Sequence, residues 1–386
     1  MNTKVQGGCD SAGDLVPAER ATFRALVLAN PNYFGNIEGS KLPAVLNIAL
    51  NKTYEEIGCV GFQPQFNRLD AVVFINQPAG YGGGVCGPGT PEYVRFYLSG
   101  DNGASWQDAG LTSFTAFDIP AGTIGPRRLE YAVTLQINPS KQFCFIENFY
   151  LVRAILSWNV PPPPNTPAFK PVWGDIHDTH IQIDPRRLIL VDELLQAAQV
   201  KLPPALGHVI DPAQPVPLAE PAHLDAAALQ VLYKGKDVPP HRYALAELQQ
   251  LIIQPALTDA LMAPDFPGVL PGLGIDLAAV IGQLFPTDGN TRYEELECVG
   301  LNPNQDALVG VVRVKLSSGY SGGPCTAGSR EYVSFWGDFD GNGSFETFLG
   351  TTSVNVHDYD PIPREGLEYS VFLPVNLDKY RRPCQR

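Results

Sequence analysis

The sequence predicts a mainly β fold with a helical middle segment, in which two antiparallel β-sandwich modules flank the helices. Three observations predict it: an internal repeat, the alternation of apolar and polar residues within each copy, and a change of pattern between the copies. Hydrophobic residues make up 44% and charged residues 17% of the 386 residues, which is typical of a folded chain rather than a disordered one.

The internal repeat runs without gaps from Tyr54 to Phe96 and again from Tyr293 to Phe335. Of 43 aligned positions, 20 are identical, at a constant offset of 239 residues. TYEEIGCVGFQP recurs as RYEELECVGLNP, and further along the chain LEYAVTLQIN recurs as LEYSVFLPVN. Such self-similarity indicates a duplicated structural unit.

Within each copy the apolar runs have the period of strands. Val94, Phe96 and Leu98 alternate with the residues between them, and so do the residues of LEYAVTLQIN. Period two with one apolar face predicts half-buried strands of an antiparallel sheet. About seven short strands separated by turn residues resemble an immunoglobulin-like or fibronectin-III-like sandwich, with a small barrel as the alternative.

These patterns divide the chain into an N-terminal segment, a first sandwich, a proline-rich connector with a strand, a mostly helical segment and a second sandwich. The respective boundaries are 1–36, 37–160, 161–184, 185–290 and 291–386. Asp184-Pro185 has the chemistry of an N-cap followed by a first helical position. Apolar spacing predicts further helices near 222–233, 241–262 and 275–285.

A net charge of -13 disfavours nucleic acid and anionic membranes as partners. The apolar runs are much shorter than the roughly 20 residues that a transmembrane helix needs, so no transmembrane segment is expected. The first residues, MNTKVQGGCDSAG, lack the apolar core of a signal peptide. Three options follow: a cytoplasmic protein, a chain that starts after processing, or another route of export.

The cysteines repeat with the copies. Three occur at matching places in each, namely Cys59, Cys86 and Cys144, then Cys298, Cys325 and Cys384, and Cys9 is the seventh. We predict disulfides within each copy, Cys59–Cys86 and Cys298–Cys325, which implies an oxidising compartment and favours an extracellular or cell-surface location. Buried free thiols in a reducing cytoplasm are the alternative.

Two hairpins at equivalent positions carry short motifs. SGDNGASW (Ser99 to Trp106) resembles the Asp-box of sialidase-type propeller blades, a resemblance that implies a hairpin capped by its aspartate and no catalytic role. In the second copy, oxygen-bearing side chains follow the alternate spacing of an EF-hand-type loop, which makes calcium the one cofactor to expect. These residues are Asp338, Asp340, Asn342, Ser344 and Glu346. Leu349 replaces the bidentate glutamate, so a metal-free turn is the alternative.

Two further patterns receive structural interpretations. Gly82, Gly84 and Gly87 fit the dinucleotide pattern GxGxxG, but the loop leads into a strand, which indicates an inter-strand loop. Histidines and aspartates cluster in WGDIHDTHIQI, at Asp175, His177, Asp178 and His180. In a strand, His177 and His180 point to opposite faces and cannot share a metal. No catalytic residue is assigned.

The leading functional hypothesis is a non-enzymatic structural, assembly or adhesion protein. In the first copy a closing strand, Leu151 to Trp158, follows Cys144, whereas the sequence shows no equivalent after Cys384. FRALVLANP at Phe23 resembles that strand, so we predict that residues 23–30 complete the second sandwich by strand addition, in cis or between subunits of a filament. A Cys9–Cys384 disulfide would lock the closed form.

Two other functional hypotheses remain. One is a carbohydrate-binding or glycan-processing protein that uses exposed aromatic residues around Tyr81 and Tyr320 as stacking platforms. The other is an enzyme whose site lies in the helical segment. The expected partners are therefore another copy, another protein or a glycan.

Overall fold

A computed structural model describes residues 16–119, 128–199, 211, 213–243, 289–381 and 383. Within these ranges the chain is mainly β, as the sequence predicts. The first copy and the connector contain seven strands: β1 (Glu55–Gln63), β2 (Arg68–Ile75), β3 (Thr90–Ser99), β4 (Gln107–Ala116), β5 (Leu129–Gln136), β6 (Phe149–Trp158) and β7 (Ile176–Gln182). Among the described residues, no helix is long and apolar enough to cross a membrane.

The second copy contains the strands that correspond to β1 to β5. After a two-stranded sheet in the middle segment, β8 (Leu188–Leu190) with β9 (Pro215–Pro217), they are β10 (Glu294–Asn302), β11 (Ala307–Val314), β12 (Ser329–Gly337), β13 (Thr347–Val356) and β14 (Leu367–Pro374). Pairing of β10 with β11 repeats that of β1 with β2, including the register shift, which falls before Cys59 in one and before Cys298 in the other.

The inner strands of the two copies do not form separate sandwiches but share one closed six-stranded barrel. Its order is β1-β14-β11-β10-β5-β2, so three strands come from each copy. Two parallel seams join the copies: Phe62 lies beside Tyr369 at one seam, and Leu301 beside Tyr131 at the other. In the sequence repeat, Phe62 corresponds to Leu301 and Tyr131 to Tyr369, so the two seams are equivalent.

Glycines permit the close approach of backbones at both seams. A Cβ on Gly61 would lie 2.9 Å from backbone atoms of Tyr369, and a Cβ on Gly300 would lie 3.0 Å from the carbonyl carbon of Tyr131. Larger residues would therefore push the copies apart.

In each copy, the face of the barrel strands that points away from the barrel interior packs against an outer sheet. The first copy has a four-stranded outer sheet, β4-β3-β6-β7, whereas the described part of the second copy has two strands, β12-β13. Both faces of β2 are buried: Leu69, Ala71 and Val73 face the core of the first copy, and Val72 and Phe74 belong to a cluster with the disulfide-bonded Cys59 and Cys298.

The middle segment differs in part from the sequence prediction. Asp184-Pro185 does not begin a helix; β8 follows, and helix α3 begins at Val191 (Val191–Ala197). Helix α4 (Ala226–Leu232) lies inside the predicted 222–233, and α5 (Pro240–Tyr243) begins at the predicted 241–262. The remainder of 241–262 and the predicted helix 275–285 lie outside the described residues.

The donor strand predicted at 23–30 is wrong. The N-terminal segment forms two short helices, α1 (Ala18–Ala21) and α2 (Phe23–Ala29), that pack on the first copy. Phe23 is buried, with its ring centroid 5.2 Å from that of Trp158 and 5.4 Å from that of Trp173. The apolar residues of FRALVLA fit a helical stripe as well as a strand, and burial of Phe23 against the tryptophans favours the helix.

Candidate interaction surface on the second copy

A buried ion pair fixes α1 to the first copy. Arg20 donates two hydrogen bonds to the Glu55 carboxylate, at 2.8 and 3.1 Å, and a third to the Gly80 carbonyl. Its guanidinium lies 3.9 Å from the ring centroids of both Tyr54 and Trp158. The side chains of Arg20 and Glu55 are fully buried, so the charges are paired and satisfied where water is excluded.

The second copy repeats this ion pair with different burial. Arg242 donates to both oxygens of Glu294, at 2.8 and 2.7 Å, and to the Gly319 carbonyl. Its guanidinium lies 4.4 Å from the ring centroid of Tyr293. The Arg242 side chain is 20% exposed and that of Glu294 is 23% exposed.

A second glutamate accompanies each pair. Burial, together with the neighbouring Glu55, raises the pKa of Glu92 well above its ordinary value. Its counterpart Glu331 lies 3.5 Å from Arg242, and burial beside Glu294 raises its pKa to about 7. We did not predict a role for these arginines and glutamates from the sequence. The signal was present as PAER and PPHR, two short segments with proline three residues before the arginine.

Strand β6 explains the difference in burial. It pairs with β3 along eight residue pairs, from Glu92–Trp158 to Ser99–Leu151, and Trp158 covers the Arg20 guanidinium. Among the described residues, the corresponding strand β12 pairs with β13 alone. Its second edge is therefore a row of backbone donors and acceptors that has no strand beside it in the described part of the chain.

The outer face beside this edge is aromatic and exposed. Tyr332 and Trp336 on β12 are 65% and 51% exposed, and Phe348 on β13 is 54% exposed. The ring centroids of Trp336 and Phe348 are 5.0 Å apart. We call these three residues the aromatic face. Tyr332 lies on the same face of β12, four residues before Trp336. Exposed apolar patches on soluble proteins often mark interaction sites.

In the first copy the same face is covered. Tyr97, which corresponds to Trp336, is fully buried. Its hydroxyl donates to the Pro163 carbonyl at 3.0 Å and accepts from the Thr166 N–H at 3.1 Å. Arg95 donates to the Pro162 carbonyl at 3.0 Å. The proline-rich connector thus lies across the outer face of β3.

The predicted stacking platforms at Tyr81 and Tyr320 are wrong. Both side chains are fully buried, and their hydroxyls donate to the backbone carbonyls of Tyr54 and Tyr293, each at 2.7 Å. A glycine-rich loop around a tyrosine looks exposed in sequence, but here the phenol closes the end of each core.

Disulfide pairing also differs from the prediction, because the bonds join the two copies. Cys59 bonds to its own counterpart Cys298 in the barrel, and Cys144 bonds to Cys325. Cys86 is also disulfide-bonded. The predicted pairs within a copy are therefore wrong, whereas disulfide formation itself, which fits an oxidising compartment, is present. The predicted Cys9–Cys384 bond lies outside the described residues.

Both hairpins are largely exposed. Asp101 accepts from the N–H and hydroxyl of Ser105 at 2.8 and 2.6 Å, which is the capping that the Asp-box resemblance implies, and these bonds lower the pKa of Asp101 to about 2. In the second hairpin, Asp338 accepts from the N–H groups of Gly341 and Gly343, both at 2.8 Å.

Calcium binding by Asp338, Asp340, Asn342, Ser344 and Glu346 stays a prediction. The described residues contain no group of three or more His, Cys, Asp or Glu that could hold a metal ion. The carboxylate of Asp338 accepts hydrogen bonds from backbone N–H groups, and Asn342 donates to Asp340 and Glu346. All of these hydrogen bonds lie within the hairpin itself.

His177, Asp178 and His180 lie on strand β7, as predicted, with Asp175 just before it, and the four side chains do not converge. Asp178 pairs with Arg153 at 2.7 Å, Asp175 with Lys52 at 2.9 Å, and His180 contacts Asn102 at 3.2 Å. Gly82, Gly84 and Gly87 lie between β2 and β3, in an inter-strand loop.

No protein-family model matches the chain, and no curated protein matches it in sequence.

Proposed function

We propose that this chain is a non-enzymatic assembly protein, built on duplicated sandwich-like modules, whose second copy accepts an extended strand from another polypeptide. The observation that carries the proposal is the contrast between β3, which has a strand on each side, and β12, which has one on a single side in the described residues. A partner strand would continue the β12-β13 sheet through main-chain hydrogen bonds.

Burial around the edge supports the same function. Trp158 of β6 seals Arg20 and Glu55 from water, whereas Arg242 and Glu294 are each about one-fifth exposed. An added strand would cover the second ion pair as β6 covers the first. Disulfides between the copies support a location outside the cell or at its surface, where an assembly or adhesion protein would work.

Hydrogen–deuterium exchange tests the proposal. The partner is represented by a synthetic peptide of residues 147–160, which contains the β6 sequence, and the control is the same peptide with Ala154→Pro, which cannot pair along its length. We expect the β6 peptide to slow exchange at residues 329–337, and the proline peptide to leave it fast. Exchange within β3 is slow from the start.

Two results would contradict the proposal. One is rapid exchange at 329–337 that the peptide does not change. The other is slow exchange at 329–337 in the protein alone at low concentration, which would mean that the chain covers its own edge.

A further inference from the structure

The segment that completes the first copy has two parts in one continuous run. Strand β6 pairs along the edge of β3 and ends at Trp158. The chain then turns at Asn159, whose φ is +63°, and continues as Pro161 to Pro164. Contacts with Arg95 and Tyr97 hold this run on the outer face of the same sheet. A proline run suits this place because its backbone is extended and its carbonyls are free to accept hydrogen bonds.

The second copy offers both halves of this docking site. Its edge is the side of β12 that has no strand beside it among the described residues, and its face carries Trp336 where the first copy has Tyr97. The polar pair Arg95–Asp108, joined at 2.8 Å, is replaced by Ser334 and Phe348. Aromatic rings stack on proline, and the indole N–H of Trp336 can donate to a carbonyl as the Tyr97 hydroxyl does. These substitutions make the face more apolar, and the indole N–H of Trp336 still provides a hydrogen-bond donor on it.

We propose that the aromatic face binds a proline-rich extended segment of another polypeptide, which follows the docking strand in the same chain. The inference rests on the proposed strand addition and names the partner: an apolar strand followed closely by a proline run. The run Pro161 to Pro164 does not fill the site, because the carbonyls of Pro162 and Pro163 accept hydrogen bonds from the first copy.

Three fluorescein-labelled peptides separate the two halves of the site. They are the strand alone (residues 147–158), the proline run alone (159–167) and the two joined (147–167), and fluorescence anisotropy gives their affinities for the full chain. We expect the joined peptide to bind on the order of tenfold more tightly than the strand alone, because the second contact becomes intramolecular.

Substitution at the face identifies the site of the proline run. Trp336→Ala is expected to reduce the affinity of the joined peptide to that of the strand alone and to leave the strand peptide unaffected. Phe345→Ala is the matched control, because Phe345 is 56% exposed but lies at the hairpin tip. Unchanged protection of β10 and β11 in hydrogen exchange verifies that each variant is folded.

The outcomes distinguish the inference from the proposed function. If the strand peptide protects β12, but the proline run adds nothing and Trp336→Ala has no effect, strand addition holds and the inference is wrong. If oligosaccharides compete with the proline peptide at Trp336 and bind more tightly, the face is a glycan site and the inference is also wrong. If no peptide binds, both proposals fail.

Discussion

At the scale of single residues, the duplicated chain provides internal controls. The ion pair of Arg20 and Glu55 and that of Arg242 and Glu294 have the same geometry but differ in exposure. A buried charge that loses its partner has no water to replace it, whereas a partly exposed charge does.

We therefore expect Arg20→Ala to lower the free energy of unfolding by about 3–5 kcal/mol, because Glu55 is left buried and unpaired. Arg242→Ala should lower it by about 1–2 kcal/mol, since Glu294 can be solvated. Denaturant unfolding of both variants measures the difference. Equal losses would show that the exposure of the second pair has no energetic consequence.

Asp70 makes a second residue-scale prediction. It is fully buried and accepts from Ser370 of the other copy at 2.6 Å and from Thr134 at 2.5 Å. Burial, opposed by Arg68, raises its pKa from 3.8 to about 6. The folded state thus binds this proton more tightly than the unfolded state, so the contribution of Asp70 to stability increases as pH falls from about 7 to about 4.

Asp70→Asn should remove that pH dependence, which amounts to about 2 kcal/mol between pH 4 and pH 7. The difference in free energy of unfolding, variant minus parent, should be more positive at pH 7 than at pH 4. Denaturant unfolding at both pH values measures it. A stability difference that does not change with pH would refute a raised pKa for Asp70.

At the scale of elements, the barrel seams depend on backbone approach. Gly61 and Gly300 occupy equivalent positions, each opposite the backbone of the other copy. Burial of β2 on both faces also explains its almost continuously apolar sequence, RLDAVVFI, which is typical of a strand covered on two sides.

Gly61→Ala should lower the free energy of unfolding by about 1–3 kcal/mol, because the added methyl group would overlap Tyr369 backbone atoms unless β1 and β14 separate. Gly84→Ala is the control, since its Cβ would lie 3.6 Å from the nearest atom. Thermal or denaturant unfolding compares them. Similar stability of both variants would show that β1 and β14 can separate enough to accept the methyl group without lowering the free energy of unfolding.

At the scale of the whole molecule, the disulfides and the barrel make one unit of the two copies. Cys144–Cys325 joins the loop between β5 and β6 to the loop before β12. The counterpart of Cys325 is Cys86, and the counterpart of Cys144 in the sequence repeat is Cys384.

The repeat therefore predicts a Cys86–Cys384 disulfide as the counterpart of Cys144–Cys325. Proteolysis without reduction, followed by mass spectrometry, should yield a peptide pair that contains Cys86 and Cys384. A pair that contains Cys86 and Cys9 instead would show that the repeat does not extend to the disulfide pattern.

Strand addition should also depend on pH. Glu331 faces Arg242, Glu294 and Ser329, and its pKa is about 7 while the edge is open. A docked strand would bury Glu331 as β6 buries Glu92, and would raise that pKa further. Binding would then take up a proton, so the affinity for the strand peptide should increase as pH falls towards 7 and level off below it. Glu331→Gln should abolish this dependence; its persistence in that variant would exclude Glu331 as the cause.

The sequence by itself determined the β content, the repeat and the hairpins, and it favoured disulfides over free thiols for the cysteines. These follow from local patterns: period two for strands, turn residues at hairpins, and matched positions in two copies. The structure places the predicted strands of both copies close to where alternation indicated them, because the alternation reports directly which face of each strand is buried.

Only the tertiary structure decided what each buried face and each edge meets. The almost continuously apolar sequence of β2 indicates that both of its faces are buried but does not show that the second face closes a barrel with the other copy. Strand pairing uses backbone groups that every residue shares, so the sequence does not specify which strands are neighbours. It therefore could not distinguish Cys59–Cys298 from Cys59–Cys86. For the same reason it could not show whether the segment at Phe23 is a helix or a donor strand. The sequence indicated that the second copy lacks a counterpart of β6, but only the structure shows that β12 is the strand left without a second neighbour among the described residues.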